Sequence, residues 1–419
     1  MKAYRIATNA KIECLGDPVG EVLIMNIPLA EHQRVAAVEA RCELVDVQDE
    51  KSIQSSEPYI TFPDDLYLSW AMLKAFVDEV NKEPVRPAIL GIRRTTGESE
   101  NIAAMQDVTL TGTMVVYPVR YVVPNSNREP IPVLVETQDV MQIKRKWLDH
   151  VLPAAETIHY VTHKSIIQII TPVHLGIANA YAIMNWLAGV TRRGFLGKLA
   201  RFLLKVARII GKEKALMTWL EEKRKPSDKA PPRFTYWLMR CMNKIGKNCD
   251  IHPTAVIEGS VIGDNVRIGA FALVQFSSIG DNVDLSEFSN IRFSSIGHDT
   301  QVISRARISF CVVYPRVFYV AQGMQFAVVG RDAQLYSAIY SDFRLDGRPL
   351  KTPFRGKLVD SHMPFLGSTI GHRAKVAAGF VVAPGRVIPN GVTIYPNKSA
   401  VLDRVPDGLK EGSVYFTGE

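Results

Sequence analysis

The sequence lacks a disulfide framework, an export signal and any surplus charge outside one short stretch. Its five cysteines (Cys14, Cys42, Cys241, Cys249 and Cys311) lie far apart in 419 residues, odd in number and without a C-x-x-C pair. That usage excludes a small secreted scaffold and suits a reducing cytoplasm. The opening MKAYRIATNAKIEC holds no apolar run followed by a small-residue cleavage site, so a cytoplasmic protein without a secretory signal is expected. What is present is ample core material: 47% of residues are hydrophobic and 22% charged, which excludes disorder as the general condition and leaves room for two or three domains.

The charge is local. Fifty Lys and Arg against 42 Asp and Glu give +8. Eleven basic and three acidic residues between Arg192 and Lys225 account for all of it, leaving 39 of each sign elsewhere. No aromatic or glycine-rich basic platform accompanies this stretch, so nucleic acid is not an expected partner.

Three Ile-Gly dipeptides start at Ile262, Ile279 and Ile296, 17 residues apart. The units read IGDNVRIGAFALVQFSS, IGDNVDLSEFSNIRFSS and IGHDTQVISRARISFCV, with an aliphatic residue about every sixth position. Such spacing suits short strands wound around a triangular prism, each coil burying its aliphatics on the next. The pattern resembles the hexapeptide repeat of left-handed parallel β-helix transferases. IHPTAVIEGSV and IGHRAKVAAGFVVAPGRVIPNGVTIYPNKSAVL resemble first and last coils of that family. A 17-residue unit implies one shortened corner. Between 313 and 369 the repeat is interrupted by a basic, Pro- and Gly-rich excursion that includes Arg344, Arg348, Lys351, Arg355 and Lys357.

The first 160 residues alternate between strand-like and helix-like patterns. VLIMNI from Val22, Leu44–Val47, YITF and PAILGI read as strands, and the stretches from Leu29 and over Trp70–Val80 read as helices, which predicts an α/β domain with a largely parallel sheet. IMNIPLAEHQRVAAVEARCELVDV, YITFPDDLYLSWAMLKAFVDEV and the later VLVETQDVMQIKR resemble a sugar-1-phosphate nucleotidyltransferase domain. The predicted organisation is therefore a nucleotidyltransferase-like (Rossmann-like) domain at 1–160, a helical basic connector at 161–245, and a left-handed β-helix at 246–419. It is similar to bifunctional uridyltransferases and to guanylyltransferases of sugar phosphates.

The first resemblance implies acyl transfer from acyl-CoA. That chemistry needs a base to deprotonate an attacking hydroxyl or amine and N–H groups to polarise the thioester carbonyl. Of the four histidines in the coils, His252 reads as a structural corner residue, and His298 and His372 as turn residues facing solvent. His362 is the candidate base, with Asp360 to orient its ring. The second resemblance implies Mg²⁺, held by Asp64 or Asp65 after a strand, although this D-D also reads as an N-cap pair for the next helix. The family's L-x-x-G-x-G-T-R phosphate loop is absent; ATNAKIECLGDPVGEVL stands in its place, with single glycines at Gly16 and Gly20.

Ser165 to Thr191 carries no charged residue, but Gln168, Pro172, His174, Asn179 and Asn185 interrupt it, which argues for a buried strand and core helix instead of a membrane span. After it, Lys198, Arg201, Lys205, Arg208 and Lys212 recur at spacings of 3, 4, 3 and 4 and fall on one helical face, opposite a wide apolar face. This pattern suits the plane of an anionic membrane surface, which implies peripheral attachment on the inner face.

These readings converge on a cytoplasmic transferase-family protein handling an activated sugar or polyol phosphate, or a nucleotide sugar, as a β-helix trimer. The leading expectation is nucleotidyl transfer. Acyl transfer through His362 is the alternative, and an inactive membrane-associated scaffold the third.

Overall fold

The computed structural model describes residues 1–94, 105–137, 141–146, 156–193 and 239–397, apart from single residues at 321, 345, 347, 364 and 380. The basic stripe Lys198, Arg201, Lys205, Arg208 and Lys212 lies outside the described residues.

The N-terminal domain is built on a mixed sheet. Its strands run in the order Ile131–Val135, Ala88–Arg93, Met114–Val122, Tyr59–Pro63, Lys2–Ile6 and Glu43–Val47, with Thr109–Thr111 paired beside Met114–Val122. Met114–Val122 is antiparallel to both neighbours, and the other pairs on this path are parallel. Ala3, Ile60, Phe62 and Leu90 are sealed in its core with the helices Leu29–Glu39 and Trp70–Val80. The second helix buries Met72, Leu73, Phe76, Val77 and Val80, an i, i+1, i+4, i+5, i+8 stripe. Each such side chain stabilises the fold by roughly 1.5–3 kcal/mol. Its N-cap is Ser69, whose Oγ accepts from the Met72 N–H at 3.2 Å, so the D-D pair does not cap it.

Two details differ from the sequence pattern. The strand Lys2–Ile6, next to the sheet edge, carries no apolar run because Lys2 and Arg5 interrupt it. VLIMNI is not a sheet strand; it forms the small antiparallel pair Leu23–Ile24 with Ile27–Pro28. Its apolar character reflects burial of Val22, Ile24 and Met25 against another part of the chain.

The C-terminal region is a three-faced parallel β-helix. Two faces carry eight strands each and the third five. Successive coils align Val261, Ser278, Ser295 and Val312, 17 residues apart. The inward aliphatics step by six, six and five residues from Ile262 to Ile268, Val274 and Ile279, all in one core. The shortened corner is therefore the one holding Phe276 and Ser277. Phe276, Phe293, Phe310 and Phe326 repeat there in left-handed backbone (φ 48°, 47°, 54° and 49°) and stack at 5.0, 4.9 and 4.8 Å. Left-handed backbone costs a bulky residue about 1–2 kcal/mol. Ring stacking at about 0.5–1.5 kcal/mol per pair, added to burial, offsets it.

The G-D-N part of the repeat has its own cause. Asn265 and Asn282 sit at φ 55° and 56°, and their amides link corner to corner, Asn265 to Asn282 at 3.1 Å and Asn282 to Asp299 at 2.9 Å. The preceding glycine is required by close coil packing: a Cβ on Gly280 would lie 2.7 Å from the His298 backbone nitrogen.

The excursion is narrower than the 313–369 interval. Strands from Val312–Val313 to Gln334–Tyr336 stay in the ladders, with the coil step reduced to the 16 residues from Val312 to Val328. The chain leaves after Tyr340 and rejoins at Thr369, which pairs with Val328. Within the excursion, Lys351–Phe354 and Lys357–Asp360 form a two-stranded hairpin.

Ile166–Gln168 pairs with Leu66–Leu68 and is followed by the helix Pro172–Arg193, which is the expected strand and core helix. No helix among the described residues is long and apolar enough to cross a membrane. Leu175, Ala178, Ala182, Ile183 and Leu187 of this helix share one core with Ile12, Leu15 and Val19 and with Val312, Tyr314 and Val328 of the β-helix. The two domains are thus joined by a continuous apolar junction.

Candidate functional site

Parallel strands present ligands at their C-terminal ends. Here those ends line a cavity of about 230 Å³ bordered by Arg5, Gly20, Ala30, Gln33, Asp46 and Asp64. Its electrostatics do not suit a triphosphate. Arg5, its cation, is taken: Nε and Nη2 donate to Asp46 at 2.6 and 3.0 Å, and Nη1 to the Ala30 carbonyl at 2.9 Å. Asp64 accepts from the Thr8 N–H at 3.0 Å and the Thr8 hydroxyl at 2.5 Å. An entering phosphate meets two carboxylates and one neutralised guanidinium.

The residues do not fit Mg²⁺ either. Asp65 is buried, and its Oδ2 accepts from Gln168 Nε2 at 2.7 Å while Oδ1 has no partner. Burial, reinforced by Asp64 and opposed by the Gln168 hydrogen bond, pushes its carboxyl up to about 6. A ligand carboxylate for a hard cation is instead open to it, and Asp65 is sealed. Asp64 is engaged by Thr8 and Asp65 is buried against Gln168, so neither is presented as the open Mg²⁺ ligand the resemblance implied, and no group of three His, Cys, Asp or Glu among the described residues is placed to hold a metal.

The segment standing where the phosphate loop is expected serves the junction. Ile12, Leu15, Val19 and Val22 are buried in the shared core. Asp17 bonds His372 at 2.9 Å and Arg331 at 2.8 Å, and the Leu15 carbonyl accepts from Asn390 at 2.7 Å. Asn26, in the IMNIPL start of the stretch that resembles a nucleotidyltransferase, donates to the Ser278 and Ile296 carbonyls at 3.1 and 2.9 Å. The apolar side chains of this segment and its Asp17 carboxylate are thus spent on the β-helix.

The four coil histidines separate by tautomer, assigned from their hydrogen bonds. A backbone N–H donates to Nδ1 of three: Thr254 to His252 at 3.2 Å, Asp281 to His298 at 2.8 Å and Arg331 to His372 at 2.9 Å. An accepting Nδ1 leaves the proton of the neutral ring on Nε2, which then has no lone pair for a substrate proton. His372 is moreover sealed beneath Asp17 and does not face solvent as its turn position suggested.

His362 is different. Among the described residues neither ring nitrogen makes a hydrogen bond, the ring is half-exposed, and Nδ1 lies 3.8 Å from Asp360 Oδ2. Asp360 Oδ1 accepts the His362 backbone N–H at 2.7 Å, which ties the carboxylate to the same turn. The structure thus brings His362 and Asp360 together, with Nδ1 facing the carboxylate and Nε2 open. The Asp17–His372 pair had no signal in the sequence, since its members stand 355 positions apart.

No family model matches the sequence, and no curated protein matches it significantly. Among solved structures, a GDP-perosamine N-acetyltransferase mutant from Caulobacter crescentus, in complex with CoA and GDP-perosamine, is 15% identical over 36% of this chain and 53% of its own, about half its length, with a TM-score of 0.16. A polysialic acid O-acetyltransferase is 16% identical over 37% of this chain and 77% of its own, with a TM-score of 0.16. A UDP-N-acetylglucosamine acyltransferase from Francisella novicida is 13% identical over 36% and 61%, with a TM-score of 0.15. At these values the likenesses carry no argument about activity, which rests on the residues themselves.

Proposed function

We propose that the chain is a hexapeptide-repeat acyltransferase that moves an acyl group from acyl-CoA to a hydroxyl or amine of an activated sugar or polyol phosphate, with His362 as general base. The observation that carries this reading is the unengaged ring of His362 beside Asp360, while the other three coil histidines each accept a backbone N–H at Nδ1, which leaves the proton of their neutral rings on Nε2.

In the step, His362 Nε2 takes the proton of the attacking O–H or N–H as the new bond to the thioester carbonyl carbon forms. Collapse of the tetrahedral adduct breaks the carbon–sulfur bond, and the proton passes from the imidazolium to the departing thiolate. Asp360, 3.8 Å from Nδ1, stabilises the transient imidazolium by its charge. The N-terminal α/β domain acts in this reading as a docked support.

The coils assemble as a trimer in the same proposal. Phe271 and Phe288 stack at 5.3 Å while 60% and 52% exposed, and Ile339 and Val381 pair at 63% and 62% exposure. Apolar side chains this exposed on a rigid face suit a second copy of the chain.

The test is release of CoA thiol from acetyl-CoA in the presence of amino- and hydroxy-sugar phosphates. Wild-type release that disappears in His362→Ala supports the proposal, and release undiminished in the variant overturns it. The same test weighs nucleotidyl transfer, which the cavity at the strand ends suits in place but not in charge, with Asp46 and Asp64 beside an already paired Arg5. Magnesium-dependent pyrophosphate release would favour it.

A further inference from the structure

The excursion that carries His362 is fastened at its far end. An isolated two-stranded hairpin is marginal in water and needs a surface to pack on. The hairpin Lys351–Phe354/Lys357–Asp360 turns on Arg355 and Gly356, both left-handed at φ 49° and 75°, a type I′ turn whose twist matches the strands. At this turn it meets the N-terminal domain. The Arg355 N–H donates to the two Glu13 carboxylate oxygens at 3.1 and 3.0 Å, and Nη2 donates to the Asp107 carboxylate at 2.7 and 2.5 Å. The guanidinium also lies over the Phe354 ring at 4.9 Å.

The acceptors are themselves held. The Glu13 N–H donates to the Ile170 carbonyl at 2.9 Å, and the Asp107 N–H to Gln168 Oε1 at 2.8 Å. Gln168 is fixed in turn by Asp65 at 2.7 Å and Gln106 at 2.6 Å. At the other end of the hairpin, Ser361 donates to the Leu350 carbonyl through N–H and hydroxyl at 2.9 and 2.7 Å, one residue before His362.

We propose that Arg355 is a positioning residue. By locking the hairpin turn onto Glu13 and Asp107, it makes the N-terminal domain the support that fixes Asp360 and His362. A lone exposed ion pair adds little. Here a backbone donor, a guanidinium Nη2 shared between both Asp107 oxygens and a ring contact converge on one turn whose acceptors are preorganised. The domain that resembles a nucleotidyltransferase thereby acquires a role at the β-helix site without nucleotide chemistry. The catalytic part of this inference rests on the acyltransferase reading of His362; the fastening does not.

The test uses the full chain with Arg355→Gln, Asp107→Asn and the conservative Arg355→Lys. Amide hydrogen exchange over 351–362 is read beside CoA release from acetyl-CoA. The expected result is exchange at least roughly fivefold faster in Arg355→Gln and Asp107→Asn, with the melting temperature held. Turnover falls by a similar factor at unchanged KM for acetyl-CoA, and Arg355→Lys restores much of both. Unchanged exchange overturns the fastening whatever the activity. Faster exchange with full turnover, where His362→Ala is inactive, overturns the positioning role. Faster exchange with His362→Ala fully active upholds the fastening and removes the catalytic role together with the acyltransferase reading.

Discussion

Asp17 and His372 meet across the domain junction, carboxylate oxygen to ring Nε2 at 2.9 Å, with both side chains almost fully buried. The His372 Nδ1 accepts the Arg331 N–H, so Nε2–H points at the carboxylate, and the Arg331 guanidinium approaches Asp17 from its other oxygen. Burial alone raises the Asp17 carboxyl, but the His372 hydrogen bond and the nearby charges outweigh it and hold the group below the ordinary carboxylate range. This relationship makes the junction acid-sensitive.

The sign follows from linkage. With its folded-state value lowered, Asp17 contributes stability above the unfolded carboxylate range, near pH 4, and loses it as pH falls through the folded value. Asp17→Ala is expected to cost about 3 kcal/mol near neutrality, because it leaves buried His372 and partly exposed Arg331 without their acceptor. The penalty shrinks below pH 4. Urea melts at several pH values check this, and a pH-independent penalty would contradict it.

Asp65 works in the opposite direction. Its folded value near 6 lies above the unfolded 3.8, so wild-type stability falls as pH rises between the two. Asp65→Asn is expected to gain about 2–3 kcal/mol at pH 8 and nothing near pH 3. The same melts at pH 8 with and without Mg²⁺ test the absence of a metal site: wild type stabilised by millimolar Mg²⁺, with the effect lost in Asp65→Asn, would reinstate Asp65 as a ligand.

The tautomer argument distinguishes the histidines by experiment. His362→Ala is expected to lower turnover by at least about a hundredfold. His298→Ala, which removes a capping acceptor for the Asp281 N–H, is expected to lower stability by about 1 kcal/mol with turnover retained. A His298 variant that is stable and inactive would shift the base to that ring.

For assembly, Ile339→Asp combined with Val381→Asp is expected to convert a trimer to monomer in light scattering without a change in the circular dichroism of the coils. A monomeric wild-type chain would rule out the trimer.

Membrane attachment rests on the sequence pattern alone. Charge reversal at Lys198, Arg201, Lys205, Arg208 and Lys212 is expected to abolish sedimentation with phosphatidylglycerol vesicles, since each cation near an anionic surface contributes about 1 kcal/mol. Equal sedimentation of wild type and variant would exclude this surface as the contact.

The β-helix was legible because its signal is repeated. Three inward aliphatics and three left-handed corners recur in every 17-residue coil, so Ile262, Ile279 and Ile296 announce the coils before any contact is known. The helix Trp70–Val80 was equally open, since its buried stripe is local. What stayed hidden depends on distant partners. His298 and His372 both follow Ile-Gly, yet one borders solvent and the other lies under Asp17, a residue from the other domain. The apolar VLIMNI read as a strand because burial against a neighbouring domain leaves the same composition as burial in a sheet. Asp64 and Asp65 read as a pair, but adjacent positions around a strand end face opposite ways, one to the cavity and one to Gln168.

The most direct test places both chemistries in one experiment. Full-length wild type and His362→Ala are each given acetyl-CoA with sugar-phosphate acceptors, and separately a nucleoside triphosphate with a sugar phosphate and Mg²⁺, while thiol and pyrophosphate are followed. The account predicts thiol release by wild type alone and pyrophosphate from neither. Pyrophosphate release by both proteins, with no thiol from either, would contradict it.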